Sequence, residues 1–258
     1  MLLSRKQFLK KAGIAGVSLA SGSALYTLFR GDLLLGAVDS GAQDVRWAMV
    51  VDLVKCSARP GCTDCIRACH MAHNVPAITD VRREIKWLWK ERFDRVFPEQ
   101  VTAYMNVEMR GRQVLVTCNH CDNPPCVRVC PVQATWKRAD GIVMMDHHRC
   151  IGCRYCMAAC PYGSRSFNWS DPRPAIQADR INRDYPVRTR GVVEKCNLCA
   201  ERIDIGQTPL CVNACPERAM MFGNIADHSS PVRQVVARRL VLRRKAELGT
   251  NPEIYYLI

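Results

Sequence analysis

Sixteen cysteines constrain this chain of 258 residues more than any other feature of its sequence. They fall into four groups of four, here called quartets one to four, and none is left over. The quartets are Cys56, Cys62, Cys65 and Cys69; Cys118, Cys121, Cys126 and Cys130; Cys150, Cys153, Cys156 and Cys160; and Cys196, Cys199, Cys211 and Cys215. The last three quartets each end in Cys-x3-Cys-Pro, so the chain contains an internal repeat. Any fold of this chain must bring these thiols into metal sites or disulfides.

The third quartet has the spacing C-x2-C-x2-C-x3-C-P, which is typical of bacterial proteins that bind pairs of [4Fe–4S] clusters. Three cysteines on a tight loop can surround one cluster, and the x3 step carries the fourth cysteine about one helical turn further, toward a second cluster. The proline then ends that turn, because its ring clashes with a continuing helix and it has no amide donor. Sixteen thiols in this pattern predict four [4Fe–4S] clusters.

Three other uses of the cysteines fit the sequence less well. Disulfides are common in exported proteins with even cysteine counts, but repeated C-x2-C steps place bonding partners poorly. Four tetrahedral zinc sites in a structural scaffold would also need sixteen thiolates, but zinc does not explain the Cys-x3-Cys-Pro endings. Covalently attached haem needs C-x-x-C-H, and no C-x2-C step here is followed by histidine.

The positive charge of the chain does not indicate nucleic-acid binding. The sequence has 37 Lys+Arg against 24 Asp+Glu, a formal net charge of +13, but five of the basic residues lie in the first thirty residues, which contain no acid. Each [4Fe–4S] cluster with four thiolates would add a charge of about −2. Four such clusters would offset the net positive charge of the residues that follow the first thirty. The sequence contains no nucleic-acid-binding signature, nucleotide fingerprint or nucleophile–base set. We therefore expect a non-catalytic protein that moves electrons.

Residues 1–42 predict export. A basic head that includes Arg5 and Lys6 precedes an uncharged stretch at 12–29, an order typical of signal peptides. Residues 4–10 (SRKQFLK) are similar to a twin-arginine signal. The uncharged stretch would span about 27 Å as a helix, close to the hydrocarbon thickness of a bilayer. We expect a cleaved signal or a retained membrane anchor, with the protein at the periplasmic or outer face of the cytoplasmic membrane.

Short strands are predicted around the quartets. Residues 46–55 (RWAMVVDLVK) have the composition of a buried strand that leads into quartet one, and 114–116 have the same character before quartet two. The dipeptide Asp140-Gly141 predicts a turn between two short strands at 135–137 and 142–144. Strands and single-turn helices of this kind predict an α+β fold.

Two longer helices are predicted outside the quartets. Apolar residues recur at helical spacing over 80–100, which favours a helix packed on its own domain or, with Trp87 as an anchor, a partner-docking insertion. Ser230-Pro231 predicts the start of a second helix that runs to about Glu247. Its basic side chains are expected to face solvent; they are Arg238, Arg239, Arg243, Arg244 and Lys245.

Five stretches resemble the four-cluster iron–sulfur subunits of dimethyl-sulfoxide-reductase and polysulfide-reductase complexes. They lie at 125–131, 141–143, 149–156, 159–163 and 247–252, and the resemblance covers about 45–257. It implies two pseudo-symmetric modules, each like a bacterial ferredoxin with two [4Fe–4S] clusters. The implied first module comprises 43–117 and 190–230, with an inserted helical segment at 70–117; the second comprises 118–189; and a C-terminal helix and tail occupy 231–258.

The resemblance also implies that ligands are exchanged between quartets. The implied sets, here called set one to set four, are Cys56, Cys62, Cys65 and Cys215; Cys196, Cys199, Cys211 and Cys69; Cys118, Cys121, Cys126 and Cys160; and Cys150, Cys153, Cys156 and Cys130. The six histidines mostly flank the quartets and are expected to pack or form hydrogen bonds beside the clusters.

The insertion and the export signal are similar to one branch of the family, the DsrO subunits of DsrMKJOP complexes in sulfur metabolism. That resemblance implies an NrfD-like, quinone-interacting membrane subunit, a periplasmic multihaem cytochrome c and further subunits of a DsrMKJOP-type complex as partners. The alternative partner is a molybdopterin catalytic subunit that acts on polysulfide, thiosulfate, dimethyl sulfoxide or nitrite.

Overall fold

The structure is a computed structural model and describes residues 45–258. The largest sheet of these residues has four strands. Its strands, in order across the sheet, are β8 (Met220–Asn224), β1 (Trp47–Asp52), β10 (Ile254–Leu257) and β9 (Val241–Leu242). Strand β1 is parallel to β10 and antiparallel to β8, and β9 is antiparallel to β10. The sheet therefore joins the residues before quartet one to those after quartet four.

Alternate residues of β1 enter two different apolar clusters. Met49 and Val51 belong to the main core, whereas Ala48 and Val50 pack on the other face with Val232. This is the two-residue period of a strand that is buried on both faces.

Three two-stranded antiparallel sheets complete the strand structure of the described residues. They are β2 (Leu88–Arg92) with β3 (Gln113–Thr117), β4 (Thr135–Lys137) with β5 (Val143–Met145), and β6 (Ser166–Phe167) with β7 (Val193–Glu194). The predicted strands at 46–55 and 114–116 and the hairpin around Asp140-Gly141 are confirmed, although the first strand ends at Asp52 and a helix follows it.

The helices of the described residues are short, with nine residues in the longest. They are α1 (Leu53–Ser57), α2 (Asp64–Ala72), α3 (Phe93–Val96), α4 (Val107–Gly111), α5 (Pro125–Arg128), α6 (Tyr155–Ala158), α7 (Ala200–Ile203), α8 (Leu210–Asn213) and α9 (Pro231–Arg238). The helices α5, α6 and α8 each form a single turn that carries the first cysteine of a Cys-x3-Cys-Pro step. The structure thus repeats where the sequence repeats.

The continuous helix predicted over 80–100 is wrong. Residues 88–92 form strand β2, which pairs with β3 from Leu88 opposite Thr117 to Arg92 opposite Gln113. Only Phe93–Val96 is α-helical in this stretch. Trp87, proposed as an exposed anchor, is 1% exposed, so it cannot anchor a partner at this surface.

The C-terminal helix begins where it was predicted, with Ser230 as its N-cap and Pro231 at its first position, but it ends at Arg238 rather than near Glu247. Residue Arg239 is extended, and the chain then forms β9. Arg244 is buried and stacks over the Tyr162 ring, so the expectation of a solvent-facing side chain is wrong for it.

Candidate functional site

The sixteen cysteines form no disulfide and collect into four groups. One group lines a pocket beneath α1, where Cys56, Cys62 and Cys65 face Cys215 from the opposite end of the chain. In a second group, Cys69 lies near Cys196, Cys211 and Cys199.

The two remaining groups lie between quartets two and three. One lines a pocket with Cys118, Cys121, Cys126 and Cys160, and the other lines a pocket with Cys130, Cys150, Cys153 and Cys156. Each of the four groups has the same members as one of sets one to four, and ligation by these sets stays a prediction.

In two of the three Cys-x3-Cys-Pro steps, a backbone amide that follows the step donates a hydrogen bond to the last thiol. The amide of Ala134 donates to the Sγ of Cys130 at 3.2 Å, and the amide of Ala219 donates to the Sγ of Cys215 at 3.3 Å. Both donors follow their cysteine by four residues. Amide donors to a thiolate stabilise its negative charge, so the repeated turn favours these sulfurs as metal ligands.

Quartet three needs a glycine in its loop. Gly152 has a positive φ of +71°, and an added Cβ would collide with the carbonyl oxygen of Gly191. A side chain here would push apart the loop with Cys150 and Cys153 and the segment that enters β7.

The chemistry of the donors fits iron–sulfur clusters. Each group offers four soft thiols at one place, the ligand type that binds Fe–S clusters. Burial raises the pKa of the Cys65, Cys121 and Cys199 thiols to about 12, so metal binding must release protons from them.

An orphaned amide also points into one pocket. The side chain of Asn119 is 1% exposed, lines the pocket of set three, and has no hydrogen-bond partner for Nδ2 or Oδ1 among the described residues. Buried amides normally have partners, so a polar group such as a cluster sulfide fits this pocket.

The four groups lie in a row. Cys65 of set one lies near Cys69 and Cys211 of set two. Cys118 of set three lies near Cys196 of set two. Cys126 of set three lies near Cys156 of set four. The order is therefore one, two, three, four.

Both ends of this row approach the surface. Cys153 of set four is exposed, and three cysteines of set one are only partly buried. Sets two and three are more enclosed, with three fully buried cysteines each. A row with two accessible ends can take up electrons at one end and deliver them at the other.

The comparisons with known proteins agree with this chemistry. A family model described as a 4Fe-4S dicluster domain matches residues 113–178 and 181–225. The chain is 37% identical to the "Hdr-like menaquinol oxidoreductase iron-sulfur subunit 1" of Archaeoglobus fulgidus over 99% of this chain and 98% of that protein. The chain belongs to the family of oxidoreductase iron–sulfur subunits. As a member, it binds multiple [4Fe–4S] clusters, and its sixteen cysteines are the number that four clusters require.

Two further relatives are similar over most of the chain. The iron–sulfur subunit is 36% identical to the "Menaquinone reductase, iron-sulfur cluster-binding subunit" of Nitratidesulfovibrio vulgaris, over 83% of this chain and 89% of the relative. It is 32% identical to "Protein NrfC" of Escherichia coli K12, over 99% and 95% of the two chains. These relatives agree with membership of the iron–sulfur subunit family, and the DsrO branch stays a prediction.

The predicted export segment lies outside the described residues. None of the helices in residues 45–258 has both the length and the apolar character that crossing a bilayer requires.

Sequence reasoning missed several polar residues beside the cysteines. Glu201 lies near Cys199, and its Oε1 is 2.9 Å from Nε2 of His73, one of the histidines expected to pack or form hydrogen bonds beside the clusters. Lys195 is 2% exposed, and its Nζ donates to the carbonyl oxygen of Cys196 at 2.7 Å. Arg165, 4% exposed, contacts a cysteine sulfur directly. Their proximity to the quartets along the sequence is the one available signal, and it does not reveal burial.

Proposed function

We propose that this chain is the electron-transfer subunit of a membrane-bound oxidoreductase complex and relays electrons through four [4Fe–4S] clusters. It is an iron–sulfur subunit and not the catalytic subunit. The observation that carries the proposal is the row of four thiol groups with both ends near the surface. When bound, the clusters supply one-electron redox chemistry; the chain holds them in order and excludes water from the middle two.

The proposed ligands are sets one to four. In each set, three thiols come from one quartet and the fourth comes from the end of another; the cysteines that line three of the pockets support this exchange for sets one, three and four. This exchange joins the two halves, because sets one and two each combine quartets one and four, and sets three and four each combine quartets two and three.

One end of the row is proposed to meet an NrfD-like, quinone-interacting membrane subunit, and the other a periplasmic multihaem cytochrome c, in a DsrMKJOP-type complex of sulfur metabolism. Two relatives carry names that refer to menaquinol or menaquinone, which supports a quinone-linked complex. The twin-arginine-like sequence supports placement at the outer face of the cytoplasmic membrane.

A molybdopterin subunit is the second candidate partner. Relatives named as subunits of dimethyl sulfoxide, selenate and tetrathionate reductases, each at least 32% identical, favour this alternative. In both cases this chain performs the same electron relay.

The test is an anaerobic purification of the tagged chain from solubilised membranes, with an untagged strain as the control. Iron, zinc, molybdenum and c-type haem are then measured. Iron and haem without molybdenum, together with an NrfD-like subunit, would support the cytochrome-linked complex. Molybdenum at about one per chain would replace it with the molybdopterin complex. Zinc at the cysteine sites, with no visible iron–sulfur absorption, would overturn electron transfer itself.

A further inference from the structure

Arg165 is a buried cation whose counter-charges are cysteine sulfurs. Its side chain is 4% exposed, and Nη2 donates to the Sγ of Cys126 at 3.0 Å and to Oγ1 of Thr135 at 2.8 Å. No carboxylate of residues 45–258 forms a salt bridge with it. Two other arginines of the described residues are equally buried: Arg188 is neutralised by Glu194 at 2.7 Å, and Arg244 stacks over the Tyr162 ring and donates no hydrogen bond to a sulfur. A buried charge without a partner is costly, so the thiolates must provide the compensation.

The guanidinium lies between two of the four sets. The nearest cysteines are Cys126, which accepts its hydrogen bond, and Cys156 and Cys118. Cys126 and Cys118 belong to set three, and Cys156 belongs to set four. One positive charge thus serves two neighbouring sites at the same end of the row.

Among residues 45–258, no buried arginine donates a hydrogen bond to a cysteine of sets one or two, and the cation that lines the pocket of set one, Lys90, is only partly buried. Arg165 follows the last cysteine of its quartet by five residues, and the residues at the same distance in the other three quartets are Asn74, Thr135 and Met220. Lys195, the buried cation nearest set two, directs its Nζ to the carbonyl oxygens of Val143 and Cys196 rather than to a sulfur. Arg165 is therefore a charged residue that has no charged counterpart at the same distance from the last cysteine in the other three quartets.

A cation at this place changes redox equilibria. Reduction of a [4Fe–4S] cluster adds one electron and so one negative charge, which a nearby cation and hydrogen bonds to the sulfurs stabilise. We infer that Arg165 raises the reduction potentials of the clusters at sets three and four and so draws electrons toward that end of the row. The inference rests on the ligand sets proposed above. No proton is taken up, because a guanidinium stays charged in both redox states.

The test compares variants by redox titration followed by electron paramagnetic resonance of the purified, cluster-loaded chain. Arg165→Met removes the charge, Arg165→Gln removes it but keeps hydrogen bonding, and Arg165→Lys keeps it. The matched control is Arg92→Met, which removes an exposed arginine paired with Asp94. For Arg165→Met and Arg165→Gln, we expect two of the four reduction equilibria to weaken by at least tenfold, which is 59 mV for one electron. Arg165→Lys and Arg92→Met should leave all four nearly unchanged.

Four unchanged potentials in Arg165→Gln, or an equal shift of all four, would overturn the inference. Loss of iron from sets three and four in both neutral variants would also overturn it, since the residue would then act in cluster assembly. The iron content and the four resonance signals of the unaltered chain are measured first. A chain without four clusters would contradict the proposed function, which separates that failure from a failure of the role of Arg165.

Discussion

At the scale of single residues, Glu194 connects segments that are far apart in the sequence. Its Oε2 accepts a hydrogen bond from Nε1 of Trp87 at 2.7 Å and pairs with Arg188 at 2.7 Å, and its Oε1 accepts from Nδ2 of Asn168 at 2.6 Å. Arg188 also stacks over the Trp87 ring, 4.9 Å from its centroid. Because Glu194 lies two residues before Cys196, this network positions the start of quartet four against the insertion.

Neutralising this carboxylate should destabilise the protein strongly. Glu194→Gln leaves the buried Arg188 without a counter-charge, and removal of one partner of a buried ion pair costs about 3–5 kcal/mol. The measurement is the denaturant midpoint of the anaerobic, cluster-loaded protein. The control is Glu91→Gln, which breaks a partly exposed pair with Arg95 and should cost less than about 1 kcal/mol. Similar midpoints for the two variants would show that the buried network does not stabilise the fold.

The cysteines could be predicted at this scale, but the buried charges could not. Spacing alone locates all sixteen thiols, because a cluster demands ligands at short, repeated intervals. Arg165 and Glu194 have no such signal, since charged residues are mostly exposed. Arg165 lies 39 residues from its partner Cys126, and Glu194 lies 107 residues from its partner Trp87. Only the folded structure shows that these side chains are buried.

At the scale of elements, the helix predicted over 80–100 is wrong because a helical pattern depends only on residues close in the sequence, whereas a strand pairs with residues far along the chain. Phe93, Val96 and Phe97 do bury one face of a helical turn, so part of the spacing was informative. Residues 88–92 instead pair with β3, where the first pair, Leu88 with Thr117, joins residues that are 29 positions apart in the sequence. Aromatic residues such as Trp89 also fit a strand well. Because β3 is available as a pairing partner, residues 88–92 form a strand and not a helix.

The C-terminal strand β10 anchors this insertion to the four-stranded sheet. Tyr256 is fully buried, and its ring meets the Phe97 ring edge-on at a centroid distance of 5.1 Å. Its hydroxyl has no hydrogen-bond partner among the described residues. The stabilisation by this side chain therefore comes from its ring.

Two substitutions at Tyr256 separate ring from hydroxyl. Tyr256→Ala should lower the free energy of unfolding by about 3–5 kcal/mol, because it leaves a large cavity. Tyr256→Phe removes only an unpaired buried hydroxyl and should change it by less than about 1 kcal/mol. The denaturant midpoints of the cluster-loaded variants provide the comparison. A loss in Tyr256→Phe as large as that in Tyr256→Ala would show that the hydroxyl has an essential partner.

At the scale of the whole molecule, the exchange of the fourth cysteine links local turns into one row. The helices α5, α6 and α8 each hold one cysteine for their own group and end before a cysteine that faces the neighbouring group. Sets one and two therefore share quartets one and four, whose residues are separated by most of the chain. The proximity of sets two and three, at Cys196 and Cys118, is then what makes the row continuous.

Removal of the second cluster should interrupt that row without dismantling its ends. Cys199→Ser takes a buried thiol from set two and is expected to lower the iron content by about one quarter. Electron paramagnetic resonance of the fully reduced protein should then show magnetic coupling between the clusters of sets three and four, while the cluster of set one gives an isolated signal. The control is Cys153→Ser at the exposed end, which should leave sets one, two and three coupled. A set-one cluster that remains magnetically coupled in Cys199→Ser would contradict the order, because its remaining neighbour would have to be a cluster other than the second.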